Sequence, residues 1–204
     1  FESALCPMRQ SLKIERLIIQ KGGAVKGVVF TAFLEMVESQ FTANMVDDII
    51  DDCHSPSGGA YTAVGTYPHE EMVDLVVALS KRSGISIPDL LRAYGQHLFT
   101  HFFSTHPSFF VNVHDALSFL AGIEVIIHAE VLKLYPDAQL PRFETEHHSQ
   151  DQLVLLYDSS RHFEDLAEGL ITGCIAHFGE KIEVRREASD HLGHRRERFI
   201  LTRQ

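Results

Sequence analysis

From position 25 onward, apolar residues recur at helical spacing. "VKGVVFTAFLEMVESQF" and "NMVDDIIDDC" both place them three or four apart, which predicts two helices. "EEMVDLVVALSKRSG" predicts a third, amphipathic and closed by Gly84. "SIPDLLRAYGQHLFTHFFSTHP" predicts a fourth, with Pro88 near its first turn and a stop before Pro107. "VHDALSFLAGIEVIIHAEVLKLYP" reads as one long helix ended by Pro136. The Ser/Pro/Gly-rich "HSPSGGAYTAVGTYPHEEM" reads as a connection. The pattern then changes to alternation in "RFETEHH" and "DQLVLLYDSS". A further helix is expected over about 163–179. "KIEVRREASDHLGHRRERFILTR" alternates on both sides of an Asp/Gly turn and predicts a hairpin. Helices first, then a small antiparallel sheet with one inserted helix, is an α+β architecture.

Residues 1–24 lack a clear period and close with Gly-Gly-Ala. They read as an appendage, either carrying a short helix around Leu12 to Ile19 or disordered, and the domain proper as 25–204. Val25 is itself a candidate start, since GTG is a bacterial start codon that reads as Val inside a longer frame. On that expectation the appendage is not natively translated.

Composition narrows the class. Of 204 residues, 45% are apolar and 23% charged, as in ordinary globular domains. No apolar run approaches the roughly 18 residues of a membrane span, so no membrane association is expected. The net charge of -10 argues against general nucleic-acid binding. The three cysteines, Cys6, Cys53 and Cys174, are scattered and show no Cys-x-x-Cys spacing. They fit a reducing, cytoplasmic setting and supply no zinc framework. The 13 histidines are the unusual count.

Three groups of residues carry candidate chemistry. Tyr157, Ser159 and Arg161 are two apart, so an extended chain puts all three on one face. A phenol, a hydroxyl and a guanidinium fork suit one or two ligand carboxylates. The competing reading is a solvated strand face ending in a helix cap at Ser160 or Asp158. His128 shares a helix face with Glu124, Val125, Val131 and Leu132. Such a histidine is commonly a core or boundary residue, yet haem iron often takes one proximal histidine in apolar surroundings. His97 and His101 share a helix face but lack the acidic partner of a His-Glu-x-x-His zinc site. They read as a surface stripe beside Leu98 and Phe102, and the adjacent His147 and His148 point apart on a strand. The arginines of the hairpin, Arg185, Arg186, Arg195, Arg196 and Arg198, interleave with acids and with His194, which predicts cross-strand ion pairs. No phosphate-binding glycine loop or nucleophile elbow is present.

Two separated segments together resemble a known family. "YDSSR" is similar to the Tyr-x-Ser-x-Arg motif of the haem nitric oxide/oxygen-binding (H-NOX) family, and "IIHAEVLKLYPDAQLPRFE" resembles its proximal-histidine helix and following turn. "VKGVVFTAFLEMVE" and "SGGAYTAVGTYPHEEMVDLV" resemble its amino-terminal half, so the likeness runs over about 25–204. It implies haem b, iron protoporphyrin IX, lying between the helical part and the sheet. His128 is then the axial iron ligand, Tyr157, Ser159 and Arg161 bind the propionates, and Pro141 presses on the porphyrin.

In O2-binding members a distal Tyr lies on the helix after the propionate motif. Ungapped counting from Arg161 puts that position at Leu166. The other distal wall residues implied, Val29, Phe33, Leu98 and Phe102, also lack a strong donor. A misregister of one turn would instead bring in His97, His101 or His162. The resemblance therefore implies a bacterial sensor that binds NO and CO and excludes O2. It implies no enzymatic activity. In the family NO binding breaks the bond to the axial His, and the amino-terminal helices shift against the sheet half. The output is expected to go in trans to a sensor histidine kinase or a cyclic-di-GMP enzyme. The rivals are an enzyme using non-haem metal on a histidine cluster and a haem or thiol redox sensor.

Overall fold

The computed structural model describes residues 23–136, 138–191 and 194–204. The helix expected around residues 12–19 and the tip of the last hairpin at 192–193 lie outside the described residues, as does the appendage up to residue 22. Gly23 and Ala24 belong to the fold: strand β1 (Ala24–Lys26) pairs with β2 (Thr66–Pro68), Ala24 opposite Pro68. The described residues thus begin two positions before the expected boundary at 25. β2 interrupts what reads in sequence as a plain connection. A three-residue strand is too short to show a period.

The helices follow the expected spacing and are closed by local side chains. α1 (Gly27–Gln40) leads into α2 (Ala43–Cys53), where the Thr42 hydroxyl accepts the Met45 N–H at 3.1 Å. α3 (His69–Ser83) ends at Gly84, whose φ of 74° is the left-handed cap that glycine adopts without strain. α4 (Ile87–Thr105) starts with Ser86 accepting the Asp89 N–H and Pro88 in its first turn, and it stops before Pro107.

The next predicted helix is continuous in sequence but divided in the structure. α5 (Ala116–Ala121) is capped by Asp115, a π-helical stretch occupies Ile123–His128, and α6 (Ala129–Leu134) follows. A π segment inserts an extra residue per turn and is frequent at functional sites. Apolar spacing does not distinguish it from α, because the difference lies in hydrogen-bond register.

β3 (Arg142–His148), β4 (Gln152–Asp158), β5 (Ile182–His191) and β6 (His194–Arg203) form an antiparallel sheet in the order β3-β4-β6-β5, with α7 (Glu164–Phe178) inserted after β4. β4 is central, and its odd-numbered residues Leu153, Leu155 and Tyr157 face inward with Phe199 and Leu201 of β6. The arginines of the last hairpin make ion pairs, mostly beyond the hairpin itself. Arg198 pairs with Glu146 on β3, and Arg186 with Asp165 and Glu168 on α7. The side chains of His194 and Arg195 lie outside the described residues.

Two apolar clusters result. One gathers Phe30, Phe33, Ile49, Leu75, Leu90 and Leu98 among α1–α4, and the other gathers Phe99, Leu117, Leu155, Tyr157, Ile171 and Phe199 between the sheet, α5 and α7. α4 contributes to both. It meets α7 at backbone contact: a Cβ on Gly169 would lie 2.2 Å from the Arg92 carbonyl oxygen, and one on Gly95 would lie 2.4 Å from that of Leu166. Gly169→Ala should therefore force the helices apart and lower stability by about 1–3 kcal/mol, the usual cost of overpacking. Chemical denaturation reads this directly, and an unchanged midpoint with unchanged slope would contradict the close crossing.

Candidate functional site

The turn after β4 departs from the expected geometry. β4 ends at Asp158, and Ser159 and Arg161 lie in the turn that follows, so the three polar side chains do not share one strand face. His162 carries a φ of 53°, which reverses the chain into α7. Tyr157 itself is buried, at 4% exposure. Burial pushes its phenol up to about 12, and the hydrogen bond with the Ser159 hydroxyl opposes that rise. The Ser159 hydroxyl accepts the Arg161 N–H at 3.2 Å. No side chain caps α7: its N-cap is Phe163, with no side-chain hydrogen bond. Asp158 instead faces Arg196 at 2.9 Å. The capping role of Ser160 or Asp158 is therefore not realised.

Arg161 is half-buried, and burial lowers its guanidinium pKa. Its two terminal nitrogens donate to backbone carbonyls, one to Ala24 at 3.1 Å and one to Gln139. Among the described residues no carboxylate pairs with it. Several other arginines of this half, among them Arg186, Arg198 and Arg203, have carboxylate partners. Arg161 is thus a partly desolvated cation with dipolar partners alone, which is the state in which a ligand carboxylate gains most.

His128 ends the π-helical stretch, with its side chain 13% exposed. Its Nδ1 lies 3.1 Å from Glu124 Oε1, and that same oxygen accepts the Phe143 backbone N–H at 2.5 Å. Burial pushes the imidazole below its ordinary pKa, with Glu124 acting in the opposite direction. The His128 ring stands 6.0 Å from that of Phe143, which stands 5.1 Å from that of Tyr157. The structure thus links the imidazole to the polar turn through one aromatic residue. Pro141, half-buried, sits in the segment entering β3. Phe143 and the carboxylate of Glu124 were not among the expected site residues, although Glu124 shares the face of His128 one turn earlier.

The apolar residues expected on the opposite wall lie in or against one apolar cluster. Phe33 and Leu98 belong to the first apolar cluster, with Val29, Phe102 and Leu166 packed against it. One polar neighbour was missed. Tyr94, fully buried and one turn before Leu98, packs edge-on against Phe33 at 5.2 Å. Its hydroxyl donates to the Val29 carbonyl, so its one proton is engaged. Of the histidines that an alignment shift would bring inward, His101 faces Glu35 at 3.3 Å and His162 lies 3.8 Å from Glu164. His97 is half-buried, and burial lowers its pKa.

Among the described residues, no group of three His, Cys, Asp or Glu side chains is placed to hold a metal ion. No described helix is long and apolar enough to cross a membrane.

A model of the haem-NO-binding family matches residues 26–186. The unliganded Fe(II) H-NOX protein from K. algicida is 37% identical, with a TM-score of 0.81 and coverage of 88% of this chain and 97% of that one. The H-NOX from Shewanella woodyi, solved in its Fe(II)CO state with IWP-051 bound, is 35% identical, with a TM-score of 0.76 and coverage of 88% and 95%. An H-NOX protein from S. oneidensis in the Fe(II)NO state is 29% identical, with a TM-score of 0.81 and coverage of 88% and 99%. Comparison with curated proteins finds no match to the chain. Fold and family together define a haem-binding gas-sensor domain rather than an enzyme. The chain belongs to the H-NOX family.

The thiols bear on the redox rival. Burial pushes Cys53 up to about 11 and raises Cys174 further, so both are poor thiolates. At pH 8 a pKa of about 11 leaves about one Cys53 in a thousand ionised, roughly a hundredfold fewer than the ordinary 9.0 gives. Peptide-resolved alkylation with iodoacetamide should therefore modify Cys53 and Cys174 of the folded protein far more slowly than those of the urea-unfolded chain. Equal rates would revive a thiol-based signal.

Proposed function

We propose that this H-NOX domain is a ferrous-haem sensor that binds NO and CO, excludes O2, and signals through release of an axial histidine. His128 supplies that histidine, through Nε2. Tyr157, Ser159 and Arg161 hold the two propionates, and Pro141 bears on the porphyrin face. The cofactor is haem b, since no cysteine stands in the Cys-x-x-Cys-His arrangement used for covalent attachment. The observation that carries the reading is Arg161, a half-buried guanidinium with no carboxylate partner among the described residues, beside a phenol and a hydroxyl and one aromatic residue from His128. That donor set fits a group bearing carboxylates at its edge and a metal at its centre.

Bound haem supplies the ferrous iron at which a diatomic gas is held. The chain's residues then decide which gas and with what consequence. O2 as a ligand calls for a hydrogen-bond donor on the distal side, whereas NO and CO do not. Val29, Phe33, Leu98, Phe102 and Leu166 provide an apolar wall there. Tyr94 does not change this reading, because its hydroxyl proton is already given to the Val29 carbonyl. On the proximal side, burial keeps His128 neutral, the form that ligates iron. Release of His128 from a bound iron would remove one tie on the π-helical stretch, a change that a ligand can bias. The output goes to a separate protein, a sensor histidine kinase or a cyclic-di-GMP enzyme, as the family resemblance implies.

Absorption spectra of the reduced protein test the reading. The haem band should be unmoved by air and should shift with NO to a five-coordinate form. A stable spectrum of the oxygenated protein in air would overturn the distal assignment, and absence of any haem band after reconstitution with haemin would overturn the whole. Leu166→Tyr should add O2 binding, and no change in air would count against Leu166 as a wall residue. His128→Gly should uncouple NO from partner output while NO binding persists. An intact NO response in that variant would contradict signalling by histidine release.

A further inference from the structure

We propose that Glu124 is a positioning residue for the axial ligand: its carboxylate holds the Nδ1 proton of His128 and references the imidazole to strand β3. The inference rests on the reading of His128 as that ligand. Three features of the structure support it.

The first is the sharing of one oxygen. Glu124 Oε1 lies 3.1 Å from His128 Nδ1 and 2.5 Å from the Phe143 backbone nitrogen. A backbone N–H only donates, so Oε1 is an acceptor there. Facing an acceptor, Nδ1 must be the protonated nitrogen of the neutral ring. The tautomer is then fixed with Nε2 bare, which is the nitrogen the iron needs. Sequence spacing gives the neighbours but not this proton.

The second is the local backbone. Both residues lie in the π-helical stretch Ile123–His128. The widened turn belongs to the part of the chain that carries the ligand and its carboxylate, and such departures from α geometry recur at functional sites.

The third is the anchor. Glu124 receives its second hydrogen bond from a different element, at a residue of β3 that pairs with Tyr157. Imidazole orientation is therefore set by the sheet as well as by its own helix. Among the described residues Glu124 makes no ion pair except with His128, so no cation draws the carboxylate away. A carboxylate accepting the outer N–H of a ligating imidazole raises its basicity and stiffens the metal bond. Glu124 thereby sets how readily His128 lets go when gas binds opposite.

Resonance Raman spectra of the reduced, haem-loaded protein test this through the iron–histidine stretch. In Glu124→Gln the amide oxygen still accepts but bears no charge, so the stretch should move to lower wavenumber. In Glu124→Leu it should move further. The rate of five-coordinate NO product formation should rise about tenfold in the leucine variant, the lower end of what loss of an outer-sphere partner does to a metal site. An unchanged stretch in both variants, with the wild-type band present, overturns the role of Glu124 and leaves His128 as the ligand. A wild type with haem bound but no iron–histidine band overturns both readings together.

A second measurement needs no intact histidine. In His128→Gly, imidazole retains an outer N–H for Glu124 whereas 1-methylimidazole does not, so the first should bind the reduced haem more tightly. Adding Glu124→Leu should cut that preference severalfold. A preference indifferent to Glu124 overturns the proposal.

Discussion

The structure depends on the place where α4 and α7 touch backbone to backbone. A helix pair is normally held apart by its side chains, at 8–10 Å between axes. At Gly95 and Gly169 there is no side chain, and none fits. This close crossing fixes α4 against the half of the molecule that carries the sheet. Yet α4 also sends Leu90, Tyr94 and Leu98 into the cluster formed with α1–α3, and Phe99 into the other. The two clusters are thereby joined through one rigid rod. Leu98 and Phe102 on α4, and Leu166 on α7, lie near that crossing, so the proposed distal wall inherits its shape from a contact made by glycine.

Much of this was legible in the chain, for identifiable reasons. Helices long enough to repeat their apolar face, with Ser86, Gly84 and Pro107 at their ends, announce themselves by period and cap chemistry. β4 announces itself by a run of leucines. The departures come where the information is not in side-chain spacing. β1 and β2 are three residues each, below any period, and are held by pairing across about forty residues of chain. The π-helical stretch looks α-helical because apolar residues fill both. Ser159 and Arg161 have strand spacing from Tyr157, but the strand ends at Asp158, before either of them. Tyr94 reads as one more core aromatic until its hydroxyl is seen to reach the Val29 carbonyl. The site residues came from motif resemblance more than from physics, since a polar face of three residues is common on any strand.

Pairing separates most of the charged groups of the fold from Arg161. Arg82 grips Asp48 and Asp52, Arg198 grips Glu146, and Arg92 and Arg186 share Asp165. These are surface or edge ion pairs of small individual worth, and each is complete within the chain. Buried Glu71 is likewise satisfied, by the hydroxyls of Ser57 and Tyr61. Arg161 differs in kind. Two carbonyl dipoles accept one hydrogen bond from each of its terminal nitrogens but do not neutralise its charge. A protein that buries part of a cation this way carries a desolvation cost that a bound carboxylate removes.

Arg161 and Glu124 also share a topological property. Each side chain bonds two elements that are distant in sequence: Arg161 joins Ala24 of β1 to Gln139, and Glu124 joins the π-helical stretch to β3. On the proposed reading, one touches the edge of the cofactor and the other touches its iron ligand from behind. A change in cofactor shape would then be felt at two addresses at once, the first strand of the helical half through Arg161 and the sheet through Glu124. Coupling requires that the ligand interact differently with two arrangements of the protein. These two side chains are where such a difference can be expressed, because both hold the cofactor's surroundings to opposite halves of a molecule whose core is otherwise locked at the α4–α7 crossing.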